Sequence, residues 1–179
     1  MKKEIAKKLT GISIRYILLV LVALSNLWLF YALFKPLTIY PLYFLFSLFF
    51  ETSLAGNAII LSNSIPIELI NACIAGSAYY LLLILNFSTP EIKFDKRVKM
   101  ICLAFLSLLI LNILRIFFLS LLYISGSSWF DFTHQLFWYL GSVVFVVAIW
   151  FIEVKSFKIK NIPFYSDLKF VISLRKKAD

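Results

Sequence analysis

Long apolar runs separated by short, mostly basic polar segments set the pattern of this chain. Residues 1–15 hold Lys2, Lys3, Lys7, Lys8 and Arg15 against one acid, Glu4, and an apolar run follows from Ile17 to Phe34. That run outlasts the 7 to 15 apolar residues usual in a signal peptide and no small-residue cleavage site follows it, so it predicts a retained first transmembrane helix. Lys35-Pro36 predicts its end, because proline cannot continue the backbone bonding and restricts the residue before it. The next run, Leu42 to Phe50, is too short for a full crossing of about 30 Å and predicts an interfacial or re-entrant helix. Stretched from Leu37 to Ala55 across Pro41 and Glu51 it becomes a fifth span. Residues 56–70 hold two β-branched runs around Ser-Asn-Ser-Ile-Pro, the pattern of a small hairpin. Further helices are expected over Ile70–Phe87, Val98–Tyr123 and His134–Ile152. The polar segment Ser88–Met100 and the nearly uncharged loop Ile124–Thr133 separate them.

The expected architecture is all-α integral membrane: four full transmembrane helices, one interfacial or re-entrant helix (five spans being the alternative) and a small outer-face hairpin. Residues 1–179 read as one polytopic domain, with a basic arm over 1–15, a membrane core over 16–153 and a basic tail over 154–179. No linker, repeat or second composition class divides it. Of the residues, 62% are hydrophobic and only 15% charged, outside the range of soluble globular chains. The net charge of +9 would suit a nucleic-acid partner if it were clustered on a soluble face. Instead five basic residues lie in the arm, four in the middle loop and seven in the tail, leaving Lys35 and Arg115 elsewhere. By the positive-inside rule this places both termini and the loop Ser88–Met100 in the cytoplasm, beside anionic headgroups. Nucleic acid is not an expected partner. Two cysteines make no disulfide framework and one histidine disfavours a zinc site, and no cofactor is expected.

The same topology brings three reactive side chains to the outer leaflet. Cys73 stands at the head of its helix, where Ala72, Ala75, Gly76 and Ala78 let neighbours approach and the positive end of the helix dipole favours thiolate. Gly76, Ser77 and Tyr80 share its face at helical spacing. Arg115 lies within the outer half of the membrane, where an arginine costs on the order of 2.5 to 3.5 kcal/mol; the plain alternative is a side chain that snorkels to the headgroups. Asn112, one turn back, is placed to orient the guanidinium. His134 stands where loop becomes helix, with Asp131 three residues before it, and Asp131 equally reads as a helix cap. A thiol, a permanent cation and an imidazole form the set that acyl transfer through a thioester needs: nucleophile, oxyanion partner and proton carrier. The competing class is a non-catalytic membrane component, a transporter subunit or partner-binding protein, in which Arg115 meets an acid from another chain. No intramembrane carboxylate of the last three helices faces Arg115 in this reading.

The order Asn71-Ala72-Cys73-Ile74-Ala75-Gly76, then Asn112-Ile113-Leu114-Arg115, then Phe130-Asp131-Phe132-Thr133-His134 resembles the exosortase/archaeosortase family. Many members have Cys-Ser-Gly where this chain has Cys-Ile-Ala-Gly, and the larger enzymes have additional helices. The resemblance covers about Gly56 to Phe151 and implies Cys73 as nucleophile with Arg115 and His134 as partners. It also implies the substrates: secreted proteins ending in a short motif, a transmembrane helix and a basic tail, cleaved on the outer face of the cell membrane and passed to a membrane acceptor such as a lipid. The hairpin over Asn57–Ile70 is the candidate for holding the extended substrate by edge pairing. From the charge distribution alone, a C-terminal tag should be shielded from impermeant reagent in intact cells, whereas a cysteine placed within Ser125–Ser128 should be labelled; labelling of the tag would reverse the topology.

Overall fold

The computed structural model describes residues 2–62 and 64–175, so Asn63 of the expected turn and Lys176 and Lys177 of the tail lie outside the described residues. The molecule is mostly helical: α1 (Lys2–Leu24), α2 (Trp28–Ser47), the single turn α3 (Asn71–Ile74), α4 (Gly76–Phe87), α5 (Phe94–Ile124), α6 (Phe130–Leu136), α7 (Ser142–Ser156) and α8 (Tyr165–Arg175). A π-helical segment, Phe137–Gly141, joins α6 to α7 without a break. Among the described residues, three helical stretches are long and apolar enough to cross a membrane: Trp28–Ser47, Phe94–Ile124 and Phe130–Ser156. Apolar side chains left exposed along them, among them Leu33, Phe44, Leu106, Phe118, Val144 and Phe151, make a surface suited to lipid.

The first apolar run is divided differently from the expectation. It does not end at Lys35-Pro36. It breaks at Asn26 and Leu27, whose φ values are 51° and 57°, and Asn tolerates that left-handed region through its short polar side chain. Pro36 and Pro41 then lie inside α2. Each removes one backbone donor, from the carbonyls of Ala32 and Leu37, while the buried Thr38 hydroxyl donates to the Phe34 carbonyl at 2.8 Å between them. Leu42–Phe50 is therefore no separate interfacial helix; most of it is the last part of α2, whose Leu42 and Phe46 are fully buried. Phe34 meets Phe105 edge-on at 5.5 Å between ring centroids and Phe46 meets Phe117 at 5.2 Å, so α2 and α5 advance in the same sense.

The small outer hairpin is likewise corrected. Three strands, β1 (Thr52–Ala55), β2 (Ala58–Leu61) and β3 (Ile65–Glu68), form an antiparallel sheet in that order. Ala55 pairs with Ala58 across a two-residue Gly56-Asn57 turn, with Gly56 at φ 63° as such a turn requires. The sheet is part of the core, not an appendage. Ile59 and Leu61 of β2 are buried with Leu42 and Phe46 of α2 and Ile116 and Phe117 of α5. A second cluster packs α2, α4, α5 and α7 together through Phe30, Phe34, Tyr79, Leu82, Ala104, Leu108, Val146 and Ile149.

At the far end of the bundle from the sheet, α4 runs out and its last carbonyls meet two arginines. Arg97 donates to the carbonyls of Asn86, Phe87 and Thr89 at 2.8 to 2.9 Å. Arg15 donates to Phe87 and Thr89 and holds Asp167 of α8 with both carboxylate oxygens, at 3.0 and 2.8 Å. Guanidinium is suited to this, offering several N–H groups in a fixed plane to the negative end of a helix. The basic arm, loop and tail are thus folded onto one another rather than free. Glu153 belongs to the same end: α7 runs past Ile152 to Ser156, and Glu153 is wholly buried, accepting from Asn86 Nδ2 at 3.1 Å. The Asp167 carboxylate is 4% exposed, so Arg15→Ala leaves it buried without its cation. That should cost about 3 to 5 kcal/mol in thermal unfolding of the detergent-solubilised protein, whereas Lys8→Ala, which removes an exposed partner of Glu91, should shift the transition by well under about 1 kcal/mol.

Candidate active site

The helix expected to run unbroken over Ile70–Phe87 is interrupted one residue after Ile74. Ala75 sits at φ 59°, ψ 40°, a left-handed conformation that costs a residue with a Cβ roughly 1 to 2 kcal/mol. Such a residue persists only where its surroundings hold it. Those surroundings are visible. The Cys73 carbonyl, at the break in the helical ladder, accepts from Asn112 Nδ2 at 2.8 Å and from Arg115 Nη2 at 3.4 Å. Gly76 allows the other side of the break to pack tightly, since a Cβ there would lie 2.7 Å from the Tyr31 ring of α2. Asn112 therefore fixes the turn that carries the thiol, sharing an acceptor with Arg115, and is not hydrogen-bonded to the guanidinium itself.

The break changes two expectations. Cys73 stands on a single turn of helix, so a full helix dipole is not directed at its sulfur. Gly76 and Tyr80 do not share its surroundings either: Gly76 meets Tyr31, and Tyr80 donates to the Leu19 carbonyl of α1 at 2.9 Å; Ser77 is exposed.

Cys73, Arg115 and His134 do come together. All three line one cavity of about 210 Å³ whose walls are β3 and the residue after it, α3, the second half of α5 and the α6–π segment. The rest of its lining is apolar and aromatic, including Ile67, Leu69, Leu119, Tyr123, Phe130 and Trp138, with Ser120 and Glu68 as polar members. Cys73 is half-buried and free, and Cys102 is free and exposed. Arg115 reaches Ser142 Oγ only at 3.5 Å, and its buried Nε–H has no partner among the described residues. No carboxylate stands within ion-pair distance of it among those residues. A guanidinium so loosely held retains donors for an incoming oxygen.

The imidazole of His134 is exposed and held by aromatic rings, stacked on Phe130 at 5.4 Å between centroids and flanked by Trp138 at 6.0 Å. Asp131 is not brought into the site. It is an exposed residue in the first turn of α6, the residue before α6 is capped by no side chain, and no hydrogen bond joins Asp131 to His134. The π-helical segment begins three residues after His134 and re-aims α7 beyond it. There the backbone of Gly141 closes on its own helix, since a Cβ would lie 2.6 Å from Phe137. Sequence reasoning also passed over Ser142, Ser120 and Glu68. Ser142 had a signal in the Gly-Ser pair that interrupts an apolar run. Among the described residues no three His, Cys, Asp or Glu side chains are grouped as a metal site would need.

Chemically, the cavity brings together a thiol, a guanidinium with an unpaired donor and an imidazole, the groups that acyl transfer would use. Compared with protein-family models, curated proteins and solved structures, the chain finds no match. The role of Asn112 is open to direct measurement. Asn112→Leu removes the shorter bond to the Cys73 carbonyl, and should lower stability by about 1 to 3 kcal/mol and speed alkylation of Cys73 by iodoacetamide as the turn loosens. An unchanged melting temperature together with an unchanged alkylation rate would mean that this bond does not hold the turn.

Proposed function

We propose that this chain is a membrane-embedded cysteine protease or transpeptidase that cleaves C-terminal sorting signals of secreted proteins through a thioester on Cys73. The observation that carries the proposal is the shared cavity of Cys73, Arg115 and His134, three residues from separate parts of the sequence. The resemblance of their motifs to exosortase/archaeosortase enzymes points the same way. A partner-binding or transport role would have Arg115 meet an acid from another chain; the thiol and imidazole that line the same cavity as Arg115 favour the catalytic reading.

In the proposed reaction, His134 accepts the thiol proton and Cys73 Sγ attacks the scissile carbonyl carbon. The oxyanion that forms meets the guanidinium of Arg115, which lines the cavity. As the intermediate collapses, the C–N bond breaks and the proton returns from His134 to the leaving amine. The acyl group remains on sulfur as a thioester. An acceptor nucleophile, water or an amine or hydroxyl of a membrane lipid, then attacks the same carbon and releases the thiol.

In this reading the chain lies in the cell membrane as a multi-pass protein with four crossings, both termini cytoplasmic. α1 and α2 share the first crossing, and α3–α4, α5 and α6–α7 make the others. The basic end, with Arg15, Arg97 and the lysines of arm, loop and tail, meets the inner headgroups. The cavity then opens toward the outer leaflet, where the substrate chain leaves the bilayer ahead of its own transmembrane helix and basic tail.

Cys73→Ala and Cys73→Ser should abolish processing of such a reporter in cells, and Cys102→Ala should leave it intact. His134→Ala should slow turnover by about 10² to 10⁴, and Arg115→Lys should be severely impaired because an ammonium lacks the planar set of donors. Mass spectrometry of the quenched protein should find the acyl adduct on Cys73; processing that survives Cys73→Ala would end the proposal.

A further inference from the structure

The unpaired edge of β3 forms one wall of the cavity that holds Cys73. Its hydrogen-bonding parity is set by the register. Glu68 pairs with Ala58, Ile67 with Ile59, Pro66 with Ile60 and Ile65 with Leu61, and the Leu69 N–H donates to the Asn57 carbonyl at 3.1 Å. Hydrogen-bonded pairs alternate along an antiparallel ladder, so Ile65 and Ile67 share the sense of Leu69 and turn their peptide groups toward β2. Pro66 and Glu68 turn theirs to the free edge. That edge thus offers the N–H and C=O of Glu68 and the C=O of Pro66, while the proline ring withholds the fourth group.

We infer that the substrate binds as an added strand on this edge, bonded through both peptide groups of Glu68, with Pro66 allowing one register. The inference rests on the proposed peptide cleavage and specifies how that peptide is held. Pro66 and Glu68 both line the cavity with Cys73, five residues beyond Glu68. A strand paired at Glu68 therefore lies in the cavity that the thiol lines. An exposed edge strand invites unwanted pairing along its whole length, and a proline at one of its outward positions blunts it while leaving Glu68 available. Ile65 and Ile67 face the core of the sheet, which holds the edge rigid, whereas Pro66 and Glu68 are exposed.

The test uses the full-length protein in detergent and a defined probe, acetyl-Val-Val-Val-alaninal. The thiol of Cys73 adds to the aldehyde carbon, forming an S–C bond, and its proton passes to the aldehyde oxygen. Occupancy is read as protection of Cys73 from iodoacetamide, with Cys102 as the internal reference. Each valine is replaced in turn by N-methylvaline. One replacement should weaken protection roughly five- to tenfold, the size of one or two lost backbone bonds, and the others should change it little. Glu68→Pro should weaken the unmethylated probe by the same factor and erase the difference among the methylated ones, whereas Glu68→Ala, which keeps the backbone N–H, should retain the one-position methylation pattern. Equal protection by all the methylated probes would overturn the inference, as would a loss with Glu68→Ala equal to that with Glu68→Pro, which would assign recognition to the carboxylate. If Glu68→Pro is not monodisperse, the methylation series on the wild-type protein decides. Failure of every aldehyde to protect an alkylatable Cys73 would defeat the peptide-cleaving reading itself, and the edge pairing with it.

Discussion

The Cys73 carbonyl, shared between Asn112 at 2.8 Å and Arg115 at 3.4 Å, is the contact on which the site depends. Without it the left-handed Ala75 would have little reason to persist, because the conformation is unfavourable for alanine and a continuous helix would recover the interrupted ladder. With it, one turn of helix is set apart from α4 and its thiol is turned into the cavity. The same two side chains tie α3 to α5, so the turn that carries the Cys73 thiol and the Arg115 cation are positioned by one bond network rather than by two independent packing accidents.

The other end of α4 is governed by the same physics. Arg97 from α5 and Arg15 from α1 take the last carbonyls of the helix, and Asp167 of α8 binds Arg15. α4 is 12 residues long, short beside its neighbours, and at both ends the backbone groups that a longer helix would bond internally are taken by side chains. In a low-dielectric surrounding an unpaired carbonyl is costly, which explains why arginine and asparagine, with several donors each, occupy these positions. One helix held at two ends by α5 gives the bundle a rigid pair, on which α2, α7 and the sheet pack.

Rigidity here would serve the proposed chemistry. An acyl-transfer site needs its groups placed before substrate arrives, since reorganisation during the reaction would cost part of the rate. His134 is held by ring stacking, which leaves both ring nitrogens free for proton traffic. The π-helical segment beyond it and the close approach at Gly141 re-aim α7 so that Ser142 comes within 3.5 Å of Arg115. Insertions of this kind in helices recur at functional sites because they change the direction of side chains without ending the helix.

The apolar runs and the residue types determined much of this by themselves. Length and hydropathy were enough to place helices over residues 98–123 and 134–152, and the scarcity of polar residues inside them made Cys73, Arg115 and His134 conspicuous. The Gly56-Asn57 pair was a readable turn signal that a third strand preceded the expected two, yet the adjoining Thr52–Ala55 is short and its partner β2 lies in the core. Other features were decided only by tertiary structure. Prolines normally end helices, but Pro36 and Pro41 are carried through α2, whose flanking Phe34, Ile39, Leu42 and Phe46 are buried against the rest of the bundle. Alanine has no intrinsic preference for a left-handed turn, so the break at Ala75 could not be read from its own neighbourhood; it exists because Asn112 and Arg115, some 40 residues away, supply bonds that local sequence does not contain. The burial of Glu153 beside Asn86, and of Asp167 beneath Arg15, has the same origin. Periodicity reports how a segment meets a generic apolar or aqueous phase, whereas a specific partner from a distant segment is defined only when the chain has folded.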